Sequence, residues 1–415
     1  DLQMNKTIKL AVAGAVLSAA SMANAGIIIP AGEWTIDVNG NVNAYASWYE
    51  ADDLATQTVT GGLAGTKDAN GNDTSASIGT GLLPSWLGFT GTTRQNDTDV
   101  SFTISIQPNA SDNGYTGDGA TGASANSSVL ARQAFLTFGD ASWGSVKLGK
   151  DLGIFASDAI LNDMTLLGVG SNPSNSGQST TLGGIGTGYI YPAWKGQISY
   201  TTPNMNGLQA TIAITNPNQS AVALINTTRQ DRFGLEGQVT YDMPMGKVWV
   251  SGASYDQNNG TYDWDATVMD IGTTINVGNA AITAYYYSGE GVGSTLMGGG
   301  ALLDTVIGGP DMGTDAAGNE RDSDGGYIQA TYVIPTGTKL GVAYGTSRLD
   351  TASGDDATNN SVLDENNRWT IGAYHPLTKH LNLVAEYNAI ESKDHGTTSV
   401  TNESDSLSLG AILFF

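Results

Sequence analysis

The chain is a succession of short runs that alternate apolar and polar residues, and the connections between them alternate between tight and long. Few folds accept that pattern. Leu208, Ala210, Ile212 and Ile214 fall on one face of an extended run, with Gln209, Thr211 and Thr215 on the other. Phe233, Leu235, Val239 and Tyr241 alternate with Arg232, Glu236, Gln238 and Thr240. Val100, Phe102, Ile104 and Ile106 alternate with Asp99, Ser101, Thr103 and Ser105. A period of two with one apolar face reads as a strand covered on one side. Tight connections at 91–97, 139–144, 202–207, 242–247, 276–280, 335–338 and 375–380 mostly carry Gly, Pro, Asn or Asp, as turns require. Long ones at 51–84, 108–128, 151–192, 216–230, 256–262, 288–325, 349–367 and 390–404 are rich in Gly, Asn, Asp, Ser and Thr. Seven tight turns between eight long loops make eight hairpins, hence sixteen strands with both chain ends on the tight-turn side.

A soluble sandwich has no reason to sort its loops by length. A closed barrel through an outer membrane does, with short turns inside, long loops outside, apolar residues outward and polar ones inward. In lipid every backbone polar group must find a partner within the protein, so the sheet must close. The expected fold is all-β: a 16-stranded antiparallel transmembrane β-barrel with short periplasmic turns and long extracellular loops. The final stretch, SDSLSLGAILFF, fits that expectation. Leu407, Leu409, Ala411, Leu413 and Phe415 share one side, and Ser406, Ser408 and Gly410 the other. Chain ends are usually frayed and polar, so a strand running to Phe415 needs a partner. The first strand, 34–49, is the expected one, with Ile36, Val38, Val42, Ala44 and Trp48 as its outward face. Trp34, Trp48, Tyr241, Tyr255, Tyr332 and Tyr344 lie near strand ends and suit aromatic belts at the membrane interfaces, or serve as ordinary strand formers.

Residues 4–25 read MNKTIKLAVAGAVLSAASMANA. Lys6 and Lys9 precede a short apolar core, and Ala23-Asn24-Ala25 makes an A-x-A cleavage site, the three parts of a secretory signal. The expected division is a signal peptide with a short upstream extension at 1–25 and an outer-membrane barrel at 26–415. The net charge is −23, and removing residues 1–25, which hold two lysines and one aspartate, makes it −24. That balance argues against a nucleic-acid partner, since phosphate binding needs a basic face. The chain has no Cys, which excludes disulfides, thiol chemistry and Cys-ligated zinc. His375 and His380 flank a tight turn, while His395 lies in a long loop beside Asp394. Neither G-x-S-x-G nor H-E-x-x-H occurs, and no nucleophile, base and orienting group can be assembled. The expectation is therefore not an enzyme, with no cofactor and no metal site. KDANGNDTS at 67–75 loosely resembles a Ca²⁺ loop but lacks the closing bidentate Glu, so it reads as a solvated hairpin tip.

The segment RQAFLTFGDASWGSVKLGK at 132–150 resembles the general, trimeric porins of Gram-negative outer membranes, in which Arg-x-Ala-aromatic is followed by a Gly-containing turn and a Gly-x-hydrophobic-x-hydrophobic-Gly-Arg strand. SWLGFTG at 85–91 is similar to the family's Ser-Arg-Leu-Gly-Phe-x-Gly. YTTPNMNGLQATIAI at 200–214 resembles the strand, turn and strand after the family's constriction loop, and the final Phe415 resembles its assembly signal. The resemblance implies a homotrimer in the cell outer membrane, among lipid and lipopolysaccharide, inserted by the barrel assembly machinery through the C-terminal strand. It implies a passive diffusion channel for small hydrophilic solutes and ions, with the third long loop, about 151–192, folded inward. The start of that loop carries Ile154, Phe155, Ile160, Leu161, Met164, Leu166 and Leu167, which need a wall to pack on.

In the family an acidic patch on this loop faces a column of Arg on the wall. Asp158 and Asp163 are expected to project toward the aperture; the alternative makes the apolar run a plug or subunit contact and these residues caps. Arg132 matches one wall position, Lys150 matches the basic residue at the base of the loop, and Trp86 stands where the family has Arg. Trp86 reads either as a stacking surface for a sugar or aromatic solute or as a packing residue under the loop. The expected constriction is Arg132, Lys150, Asp158, Asp163 and Trp86. Parity puts Asp37, Lys195, Arg232, Glu236, Lys339, Arg368 and Glu386 on lumen-facing positions, since a charge on the lipid face costs about 2–4 kcal/mol at mid-depth. A thinned basic column and an acidic chain favour cations, unless the acidity stays on outer loops such as 311–324 and 350–364. The alternatives are a substrate-selective channel of the same fold, for a sugar, aromatic or organic-acid solute, and more remotely a barrel enzyme or a plugged structural barrel.

Overall fold

A computed structural model describes residues 26–52, 59–68, 70–108, 110, 129–171, 180–216, 232–258, 262–295, 312–355 and 360–415. The signal peptide expected at 1–25 lies outside the described residues. The strands are β1 (Ile27–Ala31), β2 (Trp34–Ala51), β3 (Thr74–Gly79), β4 (Trp86–Gln95), β5 (Thr98–Gln107), β6 (Leu130–Asp140), β7 (Gly144–Leu152), β8 (Trp194–Thr201) and β9 (Leu208–Thr215). They continue as β10 (Gly234–Met243), β11 (Gly246–Asn258), β12 (Asp263–Val277), β13 (Ala280–Glu290), β14 (Asp322–Val333), β15 (Lys339–Leu349), β16 (Leu363–Pro376), β17 (Leu381–Asp394) and β18 (Thr401–Phe414). From β4 to β18 each pairs antiparallel with its sequence neighbour, and β18 returns to β2. The sheet is a closed ring.

Eighteen strands occupy sixteen places in that ring. On one edge of β2, β4 pairs with Thr35 to Asn41 and β3 with Tyr45 to Glu50, so the two are one wall strand interrupted by residues 80–85. On the other edge β18 pairs from Asn41 to Ala51, and β1 pairs from Trp34 to Val38. The hairpin β1–β2 thus extends the last strand downward. Between them, Phe415 and Gly40 exchange both backbone hydrogen bonds, at 2.8 and 3.0 Å. The sixteen-strand reading holds, and the sequence pattern missed only that one place is filled by two ends of the chain.

The expected tight turns are present. At one of them, Asn96 and Asp97 take φ of 47° and 61°, the left-handed pair that suits the twist of a two-residue hairpin. Alternation sorts the side chains as expected. On β18, Leu407, Leu409 and Leu413 are exposed to the outside, while Ser404, Ser406 and Ser408 are buried inside. Ile271 of β12, 53% exposed, sits between Val250 and Tyr286 of its neighbours, also outward. Trp48, Tyr241 and Tyr332 are exposed on the outer surface. Tyr255 is not: it shares the inward parity of Ser251 and Ala253 on β11 and is buried in the lumen.

At the long-loop rim, Arg321 holds Asp355 with two bonds, Nε to Oδ2 at 2.8 Å and Nη2 to Oδ1 at 2.7 Å. This ties the loop before β14 to the loop before β16. Those bonds hold the Asp355 carboxyl below its ordinary range.

Two expectations follow from this architecture. Ile271→Arg should destabilise the barrel by about 2–4 kcal/mol, and Ile275→Arg, nearer the turn at 278–279, by less; denaturant titrations in lipid vesicles measure both. A carboxyl with a lowered folded pKa contributes stability above its unfolded value, about 3.9, and loses it as pH falls through the folded one. The difference in thermal stability between wild type and Asp355→Asn should therefore be flat from pH 7 to about 4 and shrink below that.

Candidate functional site: a loop clamped inside the barrel

The inward-facing side chains of the wall become informative where the third long loop meets them. Its neck is closed by Gly153, whose N–H donates to Ala193 O at 2.8 Å, just beyond the pair Leu152↔Trp194. The chain then turns into the lumen. The N–H groups of Ile154 and Phe155 both donate to Glu236 Oε2 on β10. The other oxygen of Glu236 accepts from Lys195 Nζ at 2.6 Å and from the Tyr255 hydroxyl. The carboxylate is fully buried and receives four donors, which is how a charge survives away from water.

After Ala156, whose φ of 59° makes a left-handed corner, comes the short helix α1 (Ser157–Asn162). Asp158 on it meets Lys247 Nζ of β11 at 2.6 Å and Gln238 Nε2 of β10 at 3.0 Å. Tyr327 donates to Ala159 O at 2.8 Å, and Gln329 brackets the helix end, donating to Asn162 O and accepting from Met164 N–H. A 3-10 turn, Met164–Leu167, follows. Asp163 caps it through Thr165 N–H and also accepts from Gly184 N–H at 3.0 Å and the Tyr189 hydroxyl at 2.9 Å. Arg368 of β16 lies 3.8 Å from the same carboxylate. Val169 and Gly170 then donate to Glu386 Oε2 on β17, at 2.8 and 2.9 Å, while Tyr374 donates to its other oxygen. Finally the Tyr45 hydroxyl of β2 donates to Leu167 O at 2.7 Å. The tyrosine ring lies over Gly410 of β18, where a Cβ would sit 2.3 Å from Ala44 O.

The outgoing limb of the loop therefore runs along the inner wall from β10 to β2, stapled at intervals by wall carboxylates, amides and tyrosines. Phe155, Ala159, Ile160, Leu166 and Val169 are buried with it. The arc from β5 to β9 turns Ser101, Ser105, Thr137, Ser199 and Thr211 inward. In two ion pairs the lysine is the more exposed member: Lys247 at 31% against 8% for Asp158, and Lys147 at 22% against 2% for Asp151, 2.5 Å away.

The residues of the expected constriction sit in different surroundings. Asp158 and Asp163 belong to the loop but point into the wall, because the lysine and arginine that neutralise them are there. Lys150 shares the outward parity of Val146 and Leu148 and donates to Ala131 O at 2.9 Å. Arg132 sits at the register shift of β6, its guanidinium 5.9 Å from the ring of Trp194, an outward position on β8. Trp86 faces inward but is buried, edge-on to Phe414 at 6.4 Å, and donates to Asn39 Oδ1 at 3.3 Å. Of the other lumen positions, Asp37, Lys195, Glu236, Lys339, Arg368 and Glu386 face inward, Lys339 with its ammonium 4.8 Å over the Tyr374 ring. Arg232 instead precedes β10, exposed, 3.4 Å from Asp256. Lys247 was missed because 242–247 reads as a turn, although it shares the inward parity of Trp249 and Ser251. Lys147 and Asp151 share the inward parity of β7 and were open to the same reading. His375 and His380 lie at the tight-turn rim and His395 at the other, so the imidazoles do not converge. Asp68 closes its own turn, accepting from Asn70 and Asn72 N–H groups at 2.8 and 2.9 Å.

Removing one end of the clamp should free the loop. Glu386→Ala orphans the Val169 and Gly170 N–H groups, at about 1–3 kcal/mol each, and Glu236→Ala leaves Lys195 buried without its carboxylate. Single-channel recordings of both should show added current fluctuation and altered conductance, with Glu386→Gln milder because its amide oxygen still accepts. Unchanged traces would mean the loop is held elsewhere.

The profile of Gram-negative porins matches residues 10–395. A search among curated proteins returned no match. Among solved structures, the anion-selective porin from Comamonas acidovorans superposes with TM-score 0.63 at 15% identity, over 92% of this chain and 100% of that one. The outer membrane channel DcaP of Acinetobacter baumannii gives 0.64 at 15%, over 93% and 99%. The trimer form of OmpT from Vibrio cholerae gives 0.56 at 14%, over 92% and 99%.

Proposed function

Because the chain belongs to the Gram-negative porin family, and so is an outer-membrane β-barrel channel, we propose that it is a passive path for small hydrophilic solutes and ions, working as a homotrimer. The observation that carries this reading is the clamped loop: it narrows the bore along β10 to β2 and leaves the polar arc of β5 to β9 for solutes. The trimer is supported by family membership and by the fold shared with a porin solved in trimer form. The signal sequence supports export with cleavage after Ala25. The alternating strand ending at Phe415 supports recognition by the barrel assembly machinery. The outer face supports a life among lipid and lipopolysaccharide.

Cation preference is part of the same reading. Lys147, Lys195, Lys247 and Arg368 are each matched by a carboxylate at 2.5, 2.6, 2.6 and 3.8 Å. Among the described inward-facing residues outside those pairs, the carboxylates of Asp37, Asp270 and Glu386 outnumber the Lys339 ammonium, beneath mouths dominated by the acidic chain, whose potential concentrates cations and is screened by salt. A second reading, a narrow substrate-selective channel, is favoured by the depth to which the loop is buried.

A planar bilayer under a KCl gradient tests both. The reversal potential should be cation-shifted at low salt, the shift should shrink at high salt, and conductance should be that of an open pore. An anion shift would mean that Lys147 and Lys247, the exposed members of their pairs, set the field. A very small conductance blocked by one solute class would favour the selective channel.

A further inference from the structure

We infer that Asp37 is the receiving site for the α-ammonium group created when the signal peptide is cut from Gly26. Three observations meet there. The register Ile27↔Val38 and Ile28↔Asp37 carries Gly26 to the level of Asn39, on the same edge of β2 where Phe415 bonds Gly40. Gly26 lies so close to the Asp37 carboxylate that a Cβ at position 26 would sit 2.0 Å from Oδ1 and 2.8 Å from Cγ. And Asp37 Oδ1 is buried with no hydrogen-bond partner.

An orphaned carboxylate oxygen is costly, and a nearby cation with spare donors removes the cost. An uncut chain offers only an amide at Gly26, with one N–H. Peptidase hydrolysis of the Ala25–Gly26 bond consumes one water: its hydroxyl completes the Ala25 carboxyl, and its proton goes to the Gly26 nitrogen. The amine takes a further proton from solvent and becomes an ammonium with three donors and a positive charge. At this point in the wall it completes the carboxylate. Gly26 itself is required, since any side chain would displace Oδ1. Signal removal thereby becomes a folding contact at the junction of β1 and β18, and the inference rests on the cleavage reading above.

The groups facing Asp37 are few: Ile28 across β1, Thr90 across β4, and Asn39 two residues along, which donates a side-chain hydrogen bond to it. Any terminal carboxylate at Phe415 adds the same charge to wild type and variant, so their difference isolates Asp37.

The test uses the mature protein refolded as full barrel. Intact mass first fixes the N-terminus; a start other than Gly26 overturns the cleavage reading and this inference together. The rate of reductive methylation at the α-amine is then followed from pH 6 to 10, with surface lysines as internal reference. Wild type should label about tenfold more slowly than Asp37→Asn near pH 8, its profile displaced by about one unit to higher pH. Gly26→Ala, which keeps the carboxylate but crowds it away, should behave like Asp37→Asn, and this second variant serves if the first does not fold. Coincident profiles in wild type and either folded variant, with the N-terminus at Gly26, would overturn the inference and leave the cleavage reading standing.

Discussion

The pairing of β18 with β2 is the contact on which everything else depends. A sheet that faces lipid has no water to satisfy its edges, so a ring missing one seam would expose a row of unpaired N–H and C=O groups to hydrocarbon. Eleven residue pairs join β18 to β2 along that seam, and the Ser47 and Ser408 hydroxyls meet at 2.7 Å on its inner side. The lumen, the loop it holds and the distinction between inside and outside exist because this closure exists.

Inside the ring the logic reverses. The wall supplies charge and the loop supplies backbone. Glu236 and Glu386 stand on opposite flanks of the loop's path and take main-chain N–H groups, whereas Asp158 and Asp163 go the other way, from loop to wall cations. Both ends of the outgoing limb thus rest on buried carboxylates filled by donors, Glu236 by two N–H groups, Lys195 and Tyr255, and Glu386 by two N–H groups and Tyr374, so removing a partner leaves a buried group unsatisfied. The outgoing limb is tied to the wall along its length, though it has little regular structure of its own.

Much of this was legible in the sequence because a period of two and turn chemistry are local. Leu407 to Phe415 announced both their outward face and their need for a partner, and the strand count came from loop lengths alone. Parity puts Glu236, Arg368 and Glu386 on inward positions, and in the structure all three are buried. What was not legible was depth and direction. Family matching put Arg132 and Lys150 at the constriction; in the structure Arg132 falls at a register shift on β6 and Lys150 on the outward parity of β7. Asp158 and Asp163 looked like aperture charges because their partners, Lys247 and Arg368, lie about 90 and 200 residues away, distances over which no local rule operates. Tyr255 was assigned to a belt for the same reason: its partner is on another strand.

The shared place of β1 and β18 also dictates when the molecule can finish. Asn41 pairs with Phe414, so the ring joins residues more than 370 positions apart in the sequence. Contacts of such sequence separation form slowly and only after the intervening chain is ordered. Until then the two open edges of the sheet remain available to each other and to neighbouring chains. A polypeptide built this way closes its seam late, and everything inside the ring waits on that closure.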